Sequence, residues 1–454
     1  MANTDKNMIL LKNPLIITMD PGRSILKGRS ILIKGNKIEC IAKEGYLRKK
    51  YKLRKCKIID CKNKIALPGL INTHTHAAMS VFKGIWHLGW NHIYDLMFPV
   101  EKKLSGSDVY QFSRLGILEM LKGGTTCFVD HYYFISEVAK AAKELGLRAV
   151  LGHTLMDIEG PHKGMKEFAK ALRFADKFSD DPLITPCFAP HATETVSPGY
   201  LRRIIKEAFA RNALVHMHVA QTRSEYERIS KTHSKTPVQY LRDIGALNSR
   251  FLAAHCIYLD KKDIDIMAKH KASIVFTPSS EIIFEGLPPI REMIKAKVNL
   301  ALGTDSVAVA DFMSPLHEMK KAFYSIIQAN GAKYQLKPIQ ILEMFTINAA
   351  KALGMEHDIG SIEEGKLADI LILDALDTSF NPVYDIYSNI VLCSMEAMLD
   401  FVIVNGRIVL KNGKPTRTDE MEILKTSIRH SKRLMSRVFK GKKRLNRLMK
   451  PWIN

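Results

Sequence analysis

A chain of 454 residues with 46% hydrophobic content can bury a large core, which excludes general disorder. Its net charge of +22 is uneven: Lys425 to Lys450 holds eleven Lys or Arg and no Asp or Glu, a run read as a solvated helix or as a surface for RNA, DNA or anionic lipid. No apolar run reaches the roughly 20 residues of a membrane span, and seven scattered cysteines without a C-x-x-C pair point to reduced thiols in a cytoplasmic protein.

In chain order, the first apolar stretch is broken at Lys12, Asn13 and Pro14 and lacks the features of a signal peptide. LIITMD, SILIKGNKIECIA and KIIDCKNKIALPG then alternate β-branched and polar residues between Gly, Asn and Lys turns, the pattern of short strands. The same texture returns in Gly365–Leu376 and Asp400–Lys414. Residues 1–65 and 356–420 are therefore expected to pair into one small β-sandwich domain flanking residues 66–355, with 421–454 left as a basic C-terminal helix or tail.

Between Ile65 and Ser306 eight short apolar runs end in polar or ionisable residues: IALPGLINTHTH, GTTCFVDHY, RAVLGHTL, LITPCFAPHA, ALVHMHVAQ, FLAAHC, SIVFTPSS and VNLALGTDS. Amphipathic segments such as SRLGILEMLKGG and PGYLRRIIKEAFARN separate several of them. Buried strands alternating with helices make a parallel sheet, and eight of them predict a closed (β/α)8 barrel of the TIM type.

The ionisable residues fall at the strand ends, which share one rim in such a barrel. His74 and His76 end the first strand, His191 the fourth, His218 the fifth, His255 the sixth and Asp305 the eighth. Two residues apart on a strand, His74 and His76 point to the same side. Imidazoles with a carboxylate suit zinc, so His74, His76, His218 and Asp305 are the expected ligands of one divalent ion, most simply Zn2+. An ion so held lowers the pKa of a bound water from about 15.7 toward about 7. His216, paired with His218 on the same strand, lies deeper and is given the lesser part.

PGLINTHTH, FPVE, APHATETVSP, VHMHVAQT, LAAHC and LGTDS, with the trailing NAAKALGM and GSIEEGKLADILILD, resemble the amidohydrolase branch of methylthioadenosine/S-adenosylhomocysteine deaminases and triazine aminohydrolases. The resemblance runs to about residue 415. It implies the same four metal ligands, with His255 hydrogen-bonding the attacking water or the developing oxyanion and Asp305 also taking a proton. It places Glu101 on ribose hydroxyls and His191 on the sugar side of the substrate. The implied reaction is water attack on an amino-bearing ring carbon with loss of ammonia.

Three positions depart from the family pattern. Gln221 stands where H-x-x-E supplies a glutamate, and an amide can hold a ring nitrogen but cannot relay a proton. Glu281 replaces an amide after the seventh strand and is expected to take over that shuttle, the alternative being a solvent-facing or lysine-paired carboxylate. His153 occupies the strand-three position of an arginine, which favours a neutral nucleoside, or a relative such as aminodeoxyfutalosine, over S-adenosylhomocysteine. Trp86, Trp90 and Tyr94 follow the first strand, either stacking on a flat base or anchoring their loop.

The expected function is hydrolytic deamination of an aminopurine nucleoside. Hydrolysis of another ring C–N or C–Cl bond, as triazine hydrolases perform, stands beside it. A non-catalytic metal-binding scaffold is the reading from another class, suggested by Gln221. The expected partner is a small molecule. No membrane is involved, nucleic acid would reach only the tail, and a homo-oligomer is left open.

Overall fold

The run IALPGLINTHTH, one strand by its sequence, divides between two sheets. Lys64–Pro68 joins a mixed sheet outside the barrel, and β1 (Leu70–Thr75) opens the barrel itself. Gly69 makes the break: a Cβ there would meet Thr126 Oγ1 at 2.0 Å, so only glycine lets the chain cross so close to the second strand. The structure, a computed structural model, describes residues 8–84, 96–331 and 333–440.

The other barrel strands are β2 (Thr125–Tyr132), β3 (Arg148–Leu155), β4 (Ile184–Pro190), β5 (Leu214–Val219), β6 (Phe251–His255), β7 (Ser273–Phe276) and β8 (Asn299–Leu302). All neighbours run parallel in sequence order. A parallel bridge between Thr75 and Asp305, with Asp305 N donating to His74 O at 3.0 Å, brings the last strand back to the first. Gly303 permits that approach, since a Cβ there would lie 2.8 Å from the Cβ of His74. The eight runs marked by apolar content are thus the eight strands of a TIM-type barrel. All but the first residue of β8 are buried along their lengths, apart from two positions in β4, as expected where helices cover a parallel sheet.

Local signals set the helices. Gly106–Lys122 starts at a capping box between Ser105 and Asp108, and Pro198–Ala210 starts after Ser197 with proline in its first turn. The flanking segments form two sheets. One carries Met8–Lys12, Ser30–Lys34, Lys37–Ala42 and Lys57–Asp60. In the other, Ile370–Asp374 pairs antiparallel with Lys64–Pro68 and with Leu399–Val404, joining strands from the two ends of the chain. Leu11, Ile31, Ile33 and Ile59 from the first sheet pack with Ile16, Ile370, Ile372 and Ile403 from the second in one apolar core. Each such fully buried side chain is worth about 1.5–3 kcal/mol.

The basic segment is less solvated than its charge suggests. Glu420–Val438 is a helix that buries Ile423, Leu434 and Met435. It docks on the first barrel helix through Lys122–Glu420 at 2.6 Å, Arg114–Glu422, and a pair of contacts to Asp108 from His430 and Arg437. Among the described residues no helix is long and apolar enough to cross a membrane, and the seven cysteines are free.

Candidate metal centre

The strand ends bring the ionisable residues together. Nitrogen or oxygen atoms of His74, His76, His131 and His218 lie within 4.8 Å of one another, as do those of His74, His255 and Asp305. The backbone is distorted where the chain leaves the barrel: His255 and Asp305 adopt φ of 73° and 57°. Left-handed conformations in such residues cost about 1–3 kcal/mol and gather at functional sites.

Hydrogen bonds fix the rings. His76 Nδ1–H donates to His131 O at 2.9 Å, and His218 Nδ1–H donates to His191 O at 2.8 Å. Each bond leaves the Nε2 lone pair turned inward. His216 Nδ1–H donates to Leu252 O at 3.1 Å, so its Nε2 accepts from His74 Nδ1 at 2.7 Å and frees His74 Nε2. His216, judged secondary from its depth, is therefore what sets the tautomer of His74. Asp130 Oδ2 accepts from Thr75 Oγ1 at 2.9 Å and Ala77 N at 2.5 Å, which pins the His-Thr-His turn.

The donor set fits a cation. His76 Nε2 and His218 Nε2 face each other at 3.4 Å with both protons committed elsewhere, a repulsive arrangement that a cation between them relieves. His74 Nε2 is buried without a hydrogen-bond partner among the described residues. Asp305 Oδ1 lies 3.7 Å from His74 Nε2 and 3.6 Å from His76 Nε2. Such spacings between donors follow from bonds of about 2.0–2.2 Å to a shared ion. Burial, then the neighbouring imidazoles, pushes His74, His131 and His218 well below the ordinary histidine range, so these rings are neutral, as ligands must be.

Around this centre the remaining candidates divide. His255 Nδ1 reaches Thr277 Oγ1 at 3.0 Å, and Thr277 Oγ1 donates to Glu281 Oε1 at 3.1 Å. Glu281 is buried behind His255, 3.6 Å from its Nδ1, away from solvent and with no lysine partner among the described residues. His255 Nε2 is buried and free of partners among the described residues. His191 bonds Thr195 Oγ1 at 3.0 Å, and burial brings it down to about 4.

Glu101 is buried, accepts from Tyr132 Oη at 2.7 Å, and is pushed up to about 7 by burial. His153 is drawn away from a free binding role, because its Nε2 pairs with Glu167 Oε2 at 2.6 Å. Burial works to raise Glu167, yet hydrogen bonds from His153 and Lys170 bring it to about 2. Gln221 is half-buried beside the centre, its backbone N–H donating to Glu225 Oε2 at 2.8 Å. Trp86, with Trp90 and Tyr94, lies outside the described residues.

Four further groups belong to this rim. Asp130 and His131 end the run GTTCFVDHY, and an ionisable pair closing an apolar strand was the available signal. Glu225 accepts from Ala220 N, Gln221 N and Thr193 Oγ1, while burial raises its carboxyl. Glu194, inside APHATETVSP, is pushed up to about 8 by burial and then by Glu225, with Oε2 unpartnered among the described residues. Nothing in a single sequence marks these two glutamates apart from surface ones.

A barrel of this topology with histidines and an aspartate at its C-terminal rim defines a metal-dependent hydrolase class. The model of the amidohydrolase family matches residues 65–409, and the chain belongs to that family. It is 35% identical over 425 residues to a 5-methylthioadenosine/S-adenosylhomocysteine deaminase of Clostridium tetani, covering 92% of this chain and 96% of the relative. A 5'-deoxyadenosine deaminase of Methanosarcina acetivorans is 33% identical, covering 94% and 99%. Among solved structures, an adenosine deaminase from Xanthomonas campestris with bound zinc superposes with a TM-score of 0.89 at 27% identity, over 94% of this chain and 98% of that one. An atrazine chlorohydrolase from Arthrobacter aurescens TC1, complexed with zinc, shares the fold at a TM-score of 0.85 and 22% identity, over 93% and 100%.

Proposed function

We propose that this protein is a zinc-dependent hydrolytic deaminase of an aminopurine nucleoside, of the adenosine, methylthioadenosine, S-adenosylhomocysteine or aminodeoxyfutalosine type. The carrying observation is that relatives named for deaminating such nucleosides align over nearly the whole of this chain. The inward lone pairs of the histidine cluster support the same reading.

His74, His76, His218 and Asp305 would hold the ion. When bound, the ion supplies a water that is nucleophilic at neutral pH. Asp305 takes a proton from the attacking water. His255, whose Nδ1–H is committed to Thr277, offers Nε2 as an acceptor toward the same water. Glu281 acts through this chain, Glu281–Thr277–His255, stabilising the imidazolium as His255 gains a proton. Gln221 holds the ring nitrogen by hydrogen bonding without moving a proton. Glu101 and His191 contact the sugar. Water adds to the amino-bearing ring carbon, the proton taken from it is returned to the amino group, and the C–N bond breaks with departure of ammonia.

The His153–Glu167 pair sets a carboxylate, ionised across the physiological range, in the strand-three region, which disfavours a substrate with its own carboxylate there. The free cysteines accord with a cytoplasmic protein. The test is a panel of adenosine-like compounds on zinc-loaded protein, read by ammonia release. Turnover of a neutral 5'-substituted adenosine, abolished by a chelator, is expected. Zinc-loaded protein that releases no ammonia from any member of the panel would end the proposal.

A further inference from the structure

Of all the groups near the centre, His131 has the least settled surroundings. It is the penultimate residue of β2 and is 1% exposed. Its Nε2 lies 3.2 Å from His218 Nε2. His218 has its only ring proton on Nδ1, committed to His191 O, so His218 Nε2 presents a lone pair to His131. The other ring nitrogen of His131, Nδ1, is buried without a hydrogen-bond partner among the described residues. Among the described residues no neighbouring carbonyl or hydroxyl holds His131 as His76, His218 and His255 are held.

A purely structural histidine in this position would be costly. With its proton on Nε2 it would bond His218 Nε2 and occupy the lone pair that His218 turns toward the centre, leaving its own Nδ1 an unpaired buried acceptor. With the proton on Nδ1, that N–H would be the unsatisfied group, and two lone pairs would confront each other at 3.2 Å. A buried polar atom left unpaired costs about 1–3 kcal/mol. An ion bonded to both Nε2 atoms removes the confrontation, and in return the loss at Nδ1 is accepted. The carbonyl of the same residue also orients His76, so backbone and side chain of His131 serve one centre.

We infer that His131 is a fifth protein ligand, adding a fourth imidazole to His74, His76, His218 and Asp305. This rests on the reading that these residues hold a divalent ion. Four neutral nitrogens, one carboxylate and a water make six donors, one more than the four expected ligands and a water would supply.

The experiment compares wild type with His131→Met and His131→Gln, using His218→Ala as the control that removes an expected ligand. Zinc affinity is measured by competition with a chromophoric chelator, and the visible spectrum is recorded after loading with Co2+. A tenfold or greater loss of affinity in both His131 variants is expected, with stronger Co2+ absorption as the coordination number falls. Melting of the metal-free proteins identifies any variant that does not fold, and the other substitution then carries the comparison. Should neither fold, the wild-type Co2+ spectrum decides: the weak absorption of a six-coordinate ion supports the assignment, and the stronger absorption of a five- or four-coordinate one overturns it. Affinity within twofold of wild type and an unchanged spectrum would overturn the assignment of His131 while leaving the centre intact. If wild type itself binds no ion, the reading of the centre fails instead, and the assignment with it.

Discussion

Two sides of the barrel rim are built on opposite principles. On the imidazole side, His74, His76 and His218 each have the outer nitrogen tied to His216 or to a backbone carbonyl, so each inner nitrogen is aimed before any ion arrives. On the carboxyl side, Glu225 and Glu281 are buried and Glu194 is partly so, and desolvation raises all three. Glu194 and Glu281 each keep one oxygen unpartnered among the described residues. The first side is a rigid, neutral cradle, while the second is a set of carboxyls whose affinity for protons burial has raised. One carboxyl of the second side, Glu225, holds the backbone N–H of Gln221, whose side-chain amide cannot relay a proton. The difference shows how one rim can set a neutral donor set beside carboxyls that burial biases toward their protonated form.

The largest effect should come from breaking the cradle. His218→Ala or Asp305→Asn is expected to lose stoichiometric metal and to lower kcat/KM by about 10³-fold or more, the several kcal/mol that a metal ion contributes. Metal analysis and steady-state kinetics on the same preparations check this, and full activity in metal-free Asp305→Asn would refute the cradle. Next comes the carboxyl side. Glu281→Gln keeps the hydrogen bonds to Thr277 in part but removes the negative charge behind His255. Metal content should stay at wild-type level while kcat falls by about 10²-fold, the lower end of what acid–base groups supply. Loss of metal together with activity would move Glu281 to the other side of the comparison. His216→Ala should be milder, weakening metal affinity by about 10- to 100-fold through the freed His74 ring, with catalysis restored at saturating zinc.

These expectations show where the sequence was sufficient. The barrel was legible because each strand is a short, continuous apolar run, and because the ionisable residue closing it is chemically conspicuous. Alternation at both ends of the chain marks strands of the two flanking sheets, one of which joins the ends through Lys64–Pro68 and Ile370–Asp374. The break at Gly69 was not legible, since Pro68-Gly69 inside an apolar run looks like continuation until the closeness of Thr126 is known. Glu281 was found as a departure, but its direction was settled only by Thr277, a contact four residues away that spacing alone leaves ambiguous. His131 passed unnoticed because one histidine beside an aspartate and two tyrosines resembles ordinary strand-end polarity. Its significance arises from His218, 87 positions later, and such proximity exists only after closure of the barrel. The docking of Glu420–Val438 was likewise hidden, because the acidic residues that receive it belong to a distant helix.

The smallest effect concerns Glu101, a buried carboxyl that accepts from Tyr132. Burial lifts Glu101 from 4.5 to about 7, against the hydrogen bond from Tyr132, so the folded protein holds this proton across a range in which the unfolded chain has lost it. Between those values the native state binds more protons than the unfolded state, and stability falls as pH rises. The contribution is therefore complete below about 4.5 and gone above about 7, with a full span of about 3 kcal/mol. In Glu101→Gln, which has no proton to lose, that slope should vanish. Thermal melts of metal-free protein at pH 5 and pH 8 should show Tm of the Gln variant gaining on wild type as pH rises, while parallel profiles would mean that Glu101 is already ionised at pH 5. The same titration bears on binding: if the carboxylate form accepts the sugar hydroxyls, wild-type KM should fall as pH passes through 7, and the Gln variant should show no such fall.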